Sequence, residues 1–129
     1  MKTYGFTIVK ESSIAGLGLF ADEEIRSGDV VWSFHPSIDK EVNLAEWNDI
    51  PCHCKDYMVS HSWICNFTGK RFISFDNDRF TNHSKEPNIS EDDQGNMVAN
   101  RDIKKGEEIL CDYEEIHDGC LWEGSDVSF

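Results

Sequence analysis

The chain alternates short apolar runs with clusters of glycine, proline and polar residues, and only its middle keeps a helical period. Phe6-Thr7-Ile8-Val9 predicts a strand. The apolar stretch from Ile14 to Ala21 is interrupted by Gly16 and Gly18. Past the turn Ser27-Gly28-Asp29, Val30-Val31-Trp32-Ser33-Phe34 predicts a β-branched and aromatic strand that Pro36 stops. Val42, Leu44, Ala45, Trp47 and Ile50 recur at helical spacings, so a helix is expected from a cap at Asp39 to Pro51. A second helical piece is expected around Tyr57, Met58 and His61. Trp63-Ile64-Cys65-Asn66-Phe67 and Arg71-Phe72-Ile73-Ser74-Phe75 flank Thr68-Gly69-Lys70 and predict a hairpin. Residues 76–96 read as polar and turn-rich. Met97-Val98-Ala99 and Ile109-Leu110-Cys111-Asp112-Tyr113 read as short strands, the second coming after the turn Lys104-Lys105-Gly106. Many short strands and few helices predict a mostly β, α+β domain rather than a doubly wound α/β fold.

The length, 129 residues, suits one domain. Eight Phe and four Trp can supply a core. With 25 acidic and 12 basic residues the formal net charge is −13. That balance argues against nucleic acid or an anionic membrane as partner and favours a cationic one, or high solubility alone. No apolar run reaches the ~20 residues of a membrane helix. The polar turn at Lys10-Glu11-Ser12-Ser13 leaves no signal-peptide core, and five Cys are an odd number. A soluble, intracellular protein with reduced thiols is expected, cytoplasmic, or nuclear if it acts in a eukaryotic host.

Four constellations carry candidate chemistry. Gly16-Leu17-Gly18-Leu19-Phe20-Ala21 matches the dinucleotide fingerprint G-x-G-x-x-A. That fingerprint needs a long helix starting at the glycines, and Ser27-Gly28-Asp29 breaks the chain too soon. Two readings stay open: a glycine turn between strands, or a turn whose backbone approaches another flat ligand closely. Cys52-His53-Cys54, His61 and Cys65 fall within 14 residues. Cys and His bind zinc, but the C-x2-C spacing is missing, and small thiols buried in or near a helix fit better. Arg79-Phe80-Thr81-Asn82-His83-Ser84-Lys85-Glu86-Pro87-Asn88 sets Asn and His beside an aromatic anchor, more than a plain loop needs. Asn100 to Tyr113, by itself, is a charged turn and a strand.

In this order these pieces strongly resemble the SET domain family of S-adenosylmethionine-dependent protein-lysine methyltransferases, in its minimal viral or bacterial form. The match runs over about residues 4–115. The resemblance implies small curved β-clip-like sheets with few helices, and a C-terminal segment that passes under a preceding loop as a pseudoknot. It implies one SET domain over residues 1–129, with a variable, substrate-side insert at about 37–75 and an acidic tail at 114–129. Cofactor contacts carry over to Ala15, Gly16, Leu17 and Gly18, to Arg79, Phe80, Asn82 and His83, and to Tyr113. Tyr113 is also the expected catalytic residue. Cys111 and Tyr57 are placed along the substrate channel. The chemistry asks for a neutral amine held in line with a sulfonium methyl, which needs alignment and no metal.

The sequence departs from the family at three points. Position 85 is Lys where Cys is common, and only Cys120 follows Tyr113, so no zinc-binding module is expected. Something else must then cover the cofactor, and Trp122, with Leu121, is the candidate. Cys111 stands where Phe or Tyr is common, which leaves the number of methyl groups open. Methyl transfer to lysine in a Lys/Arg-rich protein segment, such as a histone-like or ribosomal tail, is the expected function. A silent module that binds basic peptides and a methyltransferase for a non-lysine or small-molecule acceptor are the alternatives. A homodimer is compatible with all of them.

Overall fold

The computed structural model describes residues 6–64 and 69–116. Its strands form three small sheets, ordered β1-β2-β10-β7, β3-β9-β8 and β4-β6-β5. The first begins as a hairpin. β1 (Thr7–Glu11) pairs antiparallel with β2 (Leu17–Ala21) from Thr7↔Ala21 to Glu11↔Leu17. The connecting turn closes through Ser12 N–H donating to the Gly16 carbonyl at 2.8 Å, with Gly16 at φ +46°. That left-handed backbone is why glycine stands there. β2 turns Leu19 and Ala21 inward, each about 1% exposed.

β10 (Glu108–Cys111) lies between β2, antiparallel, and β7 (Asn82–His83), parallel. Beyond β7 the chain keeps hugging β10. Ser84 N–H donates to the Cys111 carbonyl and Asn88 N–H to the Leu110 carbonyl. The buried Asn88 side chain imitates a further strand residue: Nδ2 donates to the Glu108 carbonyl and Oδ1 accepts from Leu110 N–H, both at 2.8 Å. Residues 82–88 are thus interlocked with the C-terminal strand.

β3 (Val30–Trp32), β8 (Ile89–Glu91) and β9 (Met97–Ala99) form the second sheet. Its Trp32, Ile89, Met97 and Ala99 meet Leu19, Ile25, Ile103, Ile109 and Cys111 in one core. Burying a Leu or Ile side chain contributes about 1.5–3 kcal/mol, so this cluster is the main cohesive term.

The third sheet joins β4 (Asp39–Glu41), β5 (Ser62–Ile64) and β6 (Arg71–Ser74). β5 and β6 form the expected hairpin, with Ser62↔Ile73 and Ile64↔Arg71. Residues 65–68, including Cys65, lie outside the described residues. Here the helical expectation fails. Asp39 is a strand residue whose buried carboxylate accepts from His35 N–H at 2.7 Å and from the Ser74 hydroxyl. Such side-chain bonds compete with helix formation. Past β4 the chain makes only a 3₁₀ turn, Leu44–Asp49, capped by Asn43. The α-helix comes after Pro51 as α1 (Cys52–His61), and none of its residues is buried. Cys52 is exposed and Cys54 only half-buried, which overturns the expectation of buried thiols. The polar stretch 76–96 holds a 3₁₀ turn (Asn77–Phe80), β7 and β8. Strands of two or three residues carry no period to read; their partners make them.

Candidate active site

Two clefts share a border that includes Tyr113. The first is bordered by Ala15, Gly16 and Leu17 of the β1–β2 turn and by Phe80 and Asn82. The second is mainly apolar, with Trp32, Trp63, Ile89, Met97 and Cys111 in its walls. Ser60, His61, Arg79, Thr81 and Tyr113 border both. The first cleft is the roomier, about 370 Å³, and the second is a narrow space of about 100 Å³.

Tyr113 opens the short helix α2 (Tyr113–Ile116) and stands where the clefts join. Its hydroxyl donates to the Thr81 carbonyl at 2.6 Å, and its N–H donates to His83 Nδ1 at 3.0 Å. With the donor proton engaged, the phenol oxygen can meet a third group only as an acceptor. Burial, with Cys111 adding to it, pushes the phenol up to about 12. Burial, then the Asp112 charge, pushes the Cys111 thiol up to about 12. Both are neutral at physiological pH, so neither serves as a base. Cys111 acts in the second cleft as a small apolar wall.

Gly18 and the Asn82 side chain are engaged within the chain itself, and Asn82 also borders the first cleft. Gly18 does not border the first cleft; a Cβ there would come within 2.4 Å of Glu108 Oε2 and 3.0 Å of Ser12 Cβ. A side chain at position 18 would push the Glu108 carboxylate out of its place against Ser12. Glu108 accepts from the Ser12 hydroxyl at 2.8 and 2.9 Å and from Asn82 Nδ2 at 2.9 Å. Asn82 Nδ2 also lies 3.1 Å from the Ala15 carbonyl and 3.3 Å from that of Leu17. The side-chain amide therefore ties the glycine turn to β10. Glu108 was legible only as one more tail charge. The same holds for two neighbours: Glu107 pairs with Arg101, and Asp112, nearly buried, accepts from Glu114 N–H. These carboxylates are engaged within the fold.

Arg79 packs over the Phe80 ring at 4.4 Å and donates to the Phe75 and Asp76 carbonyls and to the Tyr57 hydroxyl. Tyr57 borders neither cleft; it braces Arg79 and stacks on His61 at 4.0 Å. His83 likewise lies behind the site, against the Tyr113 ring. Lys85 ion-pairs with Glu114 and sits 3.7 Å from Asp112, which ties the 82–88 segment to α2. Trp122 and Leu121 fall outside the described residues. Trp32, Trp63, Thr81 and His61 are wall residues that sequence reasoning did not assign. Trp32 and Trp63 meet edge to face at 5.2 Å, and their indole N–H groups and Asp78 Oδ1 are buried without a protein partner. No motif marked the two Trp; Thr81 lies inside the Arg79–Asn88 motif and His61 inside the Cys–His cluster, neither read as a wall.

The residues of the first cleft fit the cofactor that the resemblance implies. The turn offers backbone and no side-chain bulk at Gly16, where nothing lies within 4 Å of a Cβ position. Phe80 offers an aromatic surface beside Asn82.

The SET domain sequence model matches residues 16–114, and the chain belongs to that family. No curated protein matches it by sequence. Among solved structures, it is similar to a candidate histone methyltransferase of Plasmodium falciparum, at 22% identity and TM-score 0.56, over 88% of this chain and 94% of that one. It is also similar to Polycomb Repressive Complex 2 of Chaetomium thermophilum, in two structures. One is an apo form, at 20% identity and TM-score 0.67, covering 95% of this chain and 16% of that one. The other is an autoinhibited form bound to S-adenosylmethionine, at 18% identity and TM-score 0.62, covering 96% and 17%. This chain thus spans about a sixth of the fungal chains. These likenesses establish the SET fold. Among the described residues, no helix is long and apolar enough to cross a membrane.

Proposed function

We propose that the protein transfers a methyl group from S-adenosylmethionine to a lysine side chain of a protein. The observation that carries the reading is the junction of two clefts at Tyr113 in a SET fold. The names of the structural neighbours, histone methyltransferase and an S-adenosylmethionine-bound complex, support it.

S-adenosylmethionine, when bound, supplies a methyl group activated by an adjacent sulfonium. The backbone of Ala15 to Leu17, Phe80 and the Asn82 main chain would hold it. The second cleft takes the acceptor. Its Trp and Met walls suit the methylene stem of lysine and exclude water from it. At the junction the Tyr113 oxygen can accept from the amine N–H, because its own proton is held by Thr81. Orientation of this kind converts binding into rate. The net charge of −13 favours an acceptor lysine within a Lys/Arg-rich segment, drawn in by steering.

The test is incubation with methyl-labelled S-adenosylmethionine and an array of basic, neutral and acidic lysine peptides, read by label transfer and by mass spectrometry. A mass gain on lysine in basic peptides is expected. Cofactor binding without transfer to any acceptor would make the protein a silent binding module. Transfer to free amino acids but not to peptides would make it a small-molecule enzyme.

A further inference from the structure

We propose that Phe34 and Phe72 form a subsite for a bulky apolar side chain two residues away from the acceptor lysine, an inference that rests on the proposed methyl transfer and deepens it. The second cleft, at about 100 Å³, admits one side chain, so the rest of an acceptor segment lies on the surface around it. Four rings run from the wall of that cleft to the surface. Trp32 meets Trp63 edge to face at 5.2 Å, Trp63 stacks on Phe72 at 5.2 Å, and Phe72 meets Phe34 edge to face at 5.3 Å. Exposure rises along the row, from 8% at Trp32 to 46% at Phe34. The outermost ring is thus continuous with the cleft and open to solvent.

Strand register makes this surface. Trp63 of β5 and Phe72 of β6 are directly opposed, so their side chains share a face. The same row continues to Glu41, the β4 partner of Phe72. In the second sheet Trp32, Met97 and Glu91 are opposed in the same way across β3, β9 and β8. The two rows meet at the tryptophan pair, and each ends in a carboxylate on an outer strand. Glu41 pairs with Lys70 at 3.4 Å, an exposed contact that contributes little and that a peptide cation can replace. An apolar band bounded by acid on two sides fits a segment in which the lysine stands close to one bulky apolar residue and to further basic ones.

Spacing gives the position. An extended segment shows the same face every second residue, about 6.4–6.8 Å apart. From a lysine beside Trp63, one such step passes Phe72, 5.2 Å away, and leads toward Phe34. The residue in between points to the other face and misses the rings. An aliphatic or aromatic side chain at the second position takes both itself and the Phe34 ring out of water.

The test uses one basic lysine peptide with Phe, Leu or Gly placed one or two residues before or after the lysine, and methyl-labelled S-adenosylmethionine. At one of the two positions two residues away, Phe and Leu should raise kcat/KM about tenfold over Gly, the scale of one half-buried apolar side chain. The gain should appear in KM rather than kcat, because it is made before the chemical step. The adjacent positions should show no such preference. Phe34→Ser should reduce the ratio to within about twofold of unity, and Phe34→Leu should restore most of it. Peptides that are methylated equally whatever stands beside the lysine, a preference at an adjacent position only, or a preference unchanged in Phe34→Ser overturn the subsite and leave the proposed function standing. The parent scan decides alone if Phe34→Ser does not fold. A parent that methylates no lysine peptide removes the proposed function and the subsite with it.

Discussion

The C-terminal interlock and the insert at residues 37–75 are built on opposite principles. In the interlock, single side chains each make several bonds: Asn88 completes β10, Asn82 and Glu108 clamp the glycine turn, and Tyr113 is fixed at both its backbone and its hydroxyl. In the insert, α1 buries no residue, and its contacts include ring contacts of Tyr57 and His61, Lys55 over the Trp47 ring and a bond from Arg79 to the Tyr57 hydroxyl. Yet both regions border the same junction. The contrast shows a site with one wall set by a polar network and the other by a lightly attached helix. Substitutions in the first should cost stability and rate together, and those in the second should touch rate or specificity alone.

Tyr113→Phe tests this most strongly, because it keeps the ring and removes only the hydroxyl. Single-turnover methyl transfer should fall by roughly 10²-fold or more, the scale of one oriented transition-state group. The lost bond to Thr81 should cost only about 1 kcal/mol in thermal unfolding. Transfer within a few-fold of the parent would make Tyr113 a packing residue. Gly18→Ala should come next, destabilising by about 1–3 kcal/mol, since its Cβ must displace Glu108 or Ser12. Denaturant unfolding with an unchanged midpoint would show the Glu108 clamp to be loose. Asn82→Ala should cost about 1–3 kcal/mol, divided between unfolding and S-adenosylmethionine affinity, because the turn loses its tie. Calorimetry with unchanged affinity and unchanged Tm would remove Asn82 from the framework.

A smaller effect lies at high pH. The folded state holds the Tyr113 proton to about 12, above the ordinary tyrosine value of about 10. Between those values the unfolded chain loses the proton first, so stability falls as pH rises through that window. Tyr113→Phe should soften the alkaline loss of stability seen by pH-jump unfolding; an identical slope would deny the burial. The smallest effect belongs to the insert. Cys52→Ser, on the exposed start of α1, should shift unfolding by less than about 0.5 kcal/mol. A larger loss would mean that α1 is held more firmly than its contacts show.

Much of the interlock was legible because its residues are contiguous and chemically unusual. Arg79 to Asn88 and the Asp112-Tyr113 pair stand out along the chain, and they mark the family. Their tasks were not legible. Asn82 and Gly18 look like ligand contacts in sequence, and in the fold the Asn82 side chain and the Gly18 backbone also make room for and hold the Glu108 carboxylate, 26 and 90 residues away in the chain. The insert was read poorly because its apolar spacing mimics a helix, while Asp39 finds Ser74 and His35 as partners and draws the segment into a strand instead.

By itself the sequence determined the mostly β class, the turns, the strands with enough residues to show an apolar pattern, and the motifs that place the chain in its family. Those come from local preference and from residue types, which need no neighbour to be recognised. Tertiary structure decided the strands β4, β7 and β8, the meeting of Trp32, Trp63 and Met97 in one cleft, and the placement of His61 and Tyr113 on the border of both clefts. Apart from the β8–β9 pairing, these depend on contacts between segments about 28 to 65 residues apart, and no local energy term encodes which distant side chain will occupy the space.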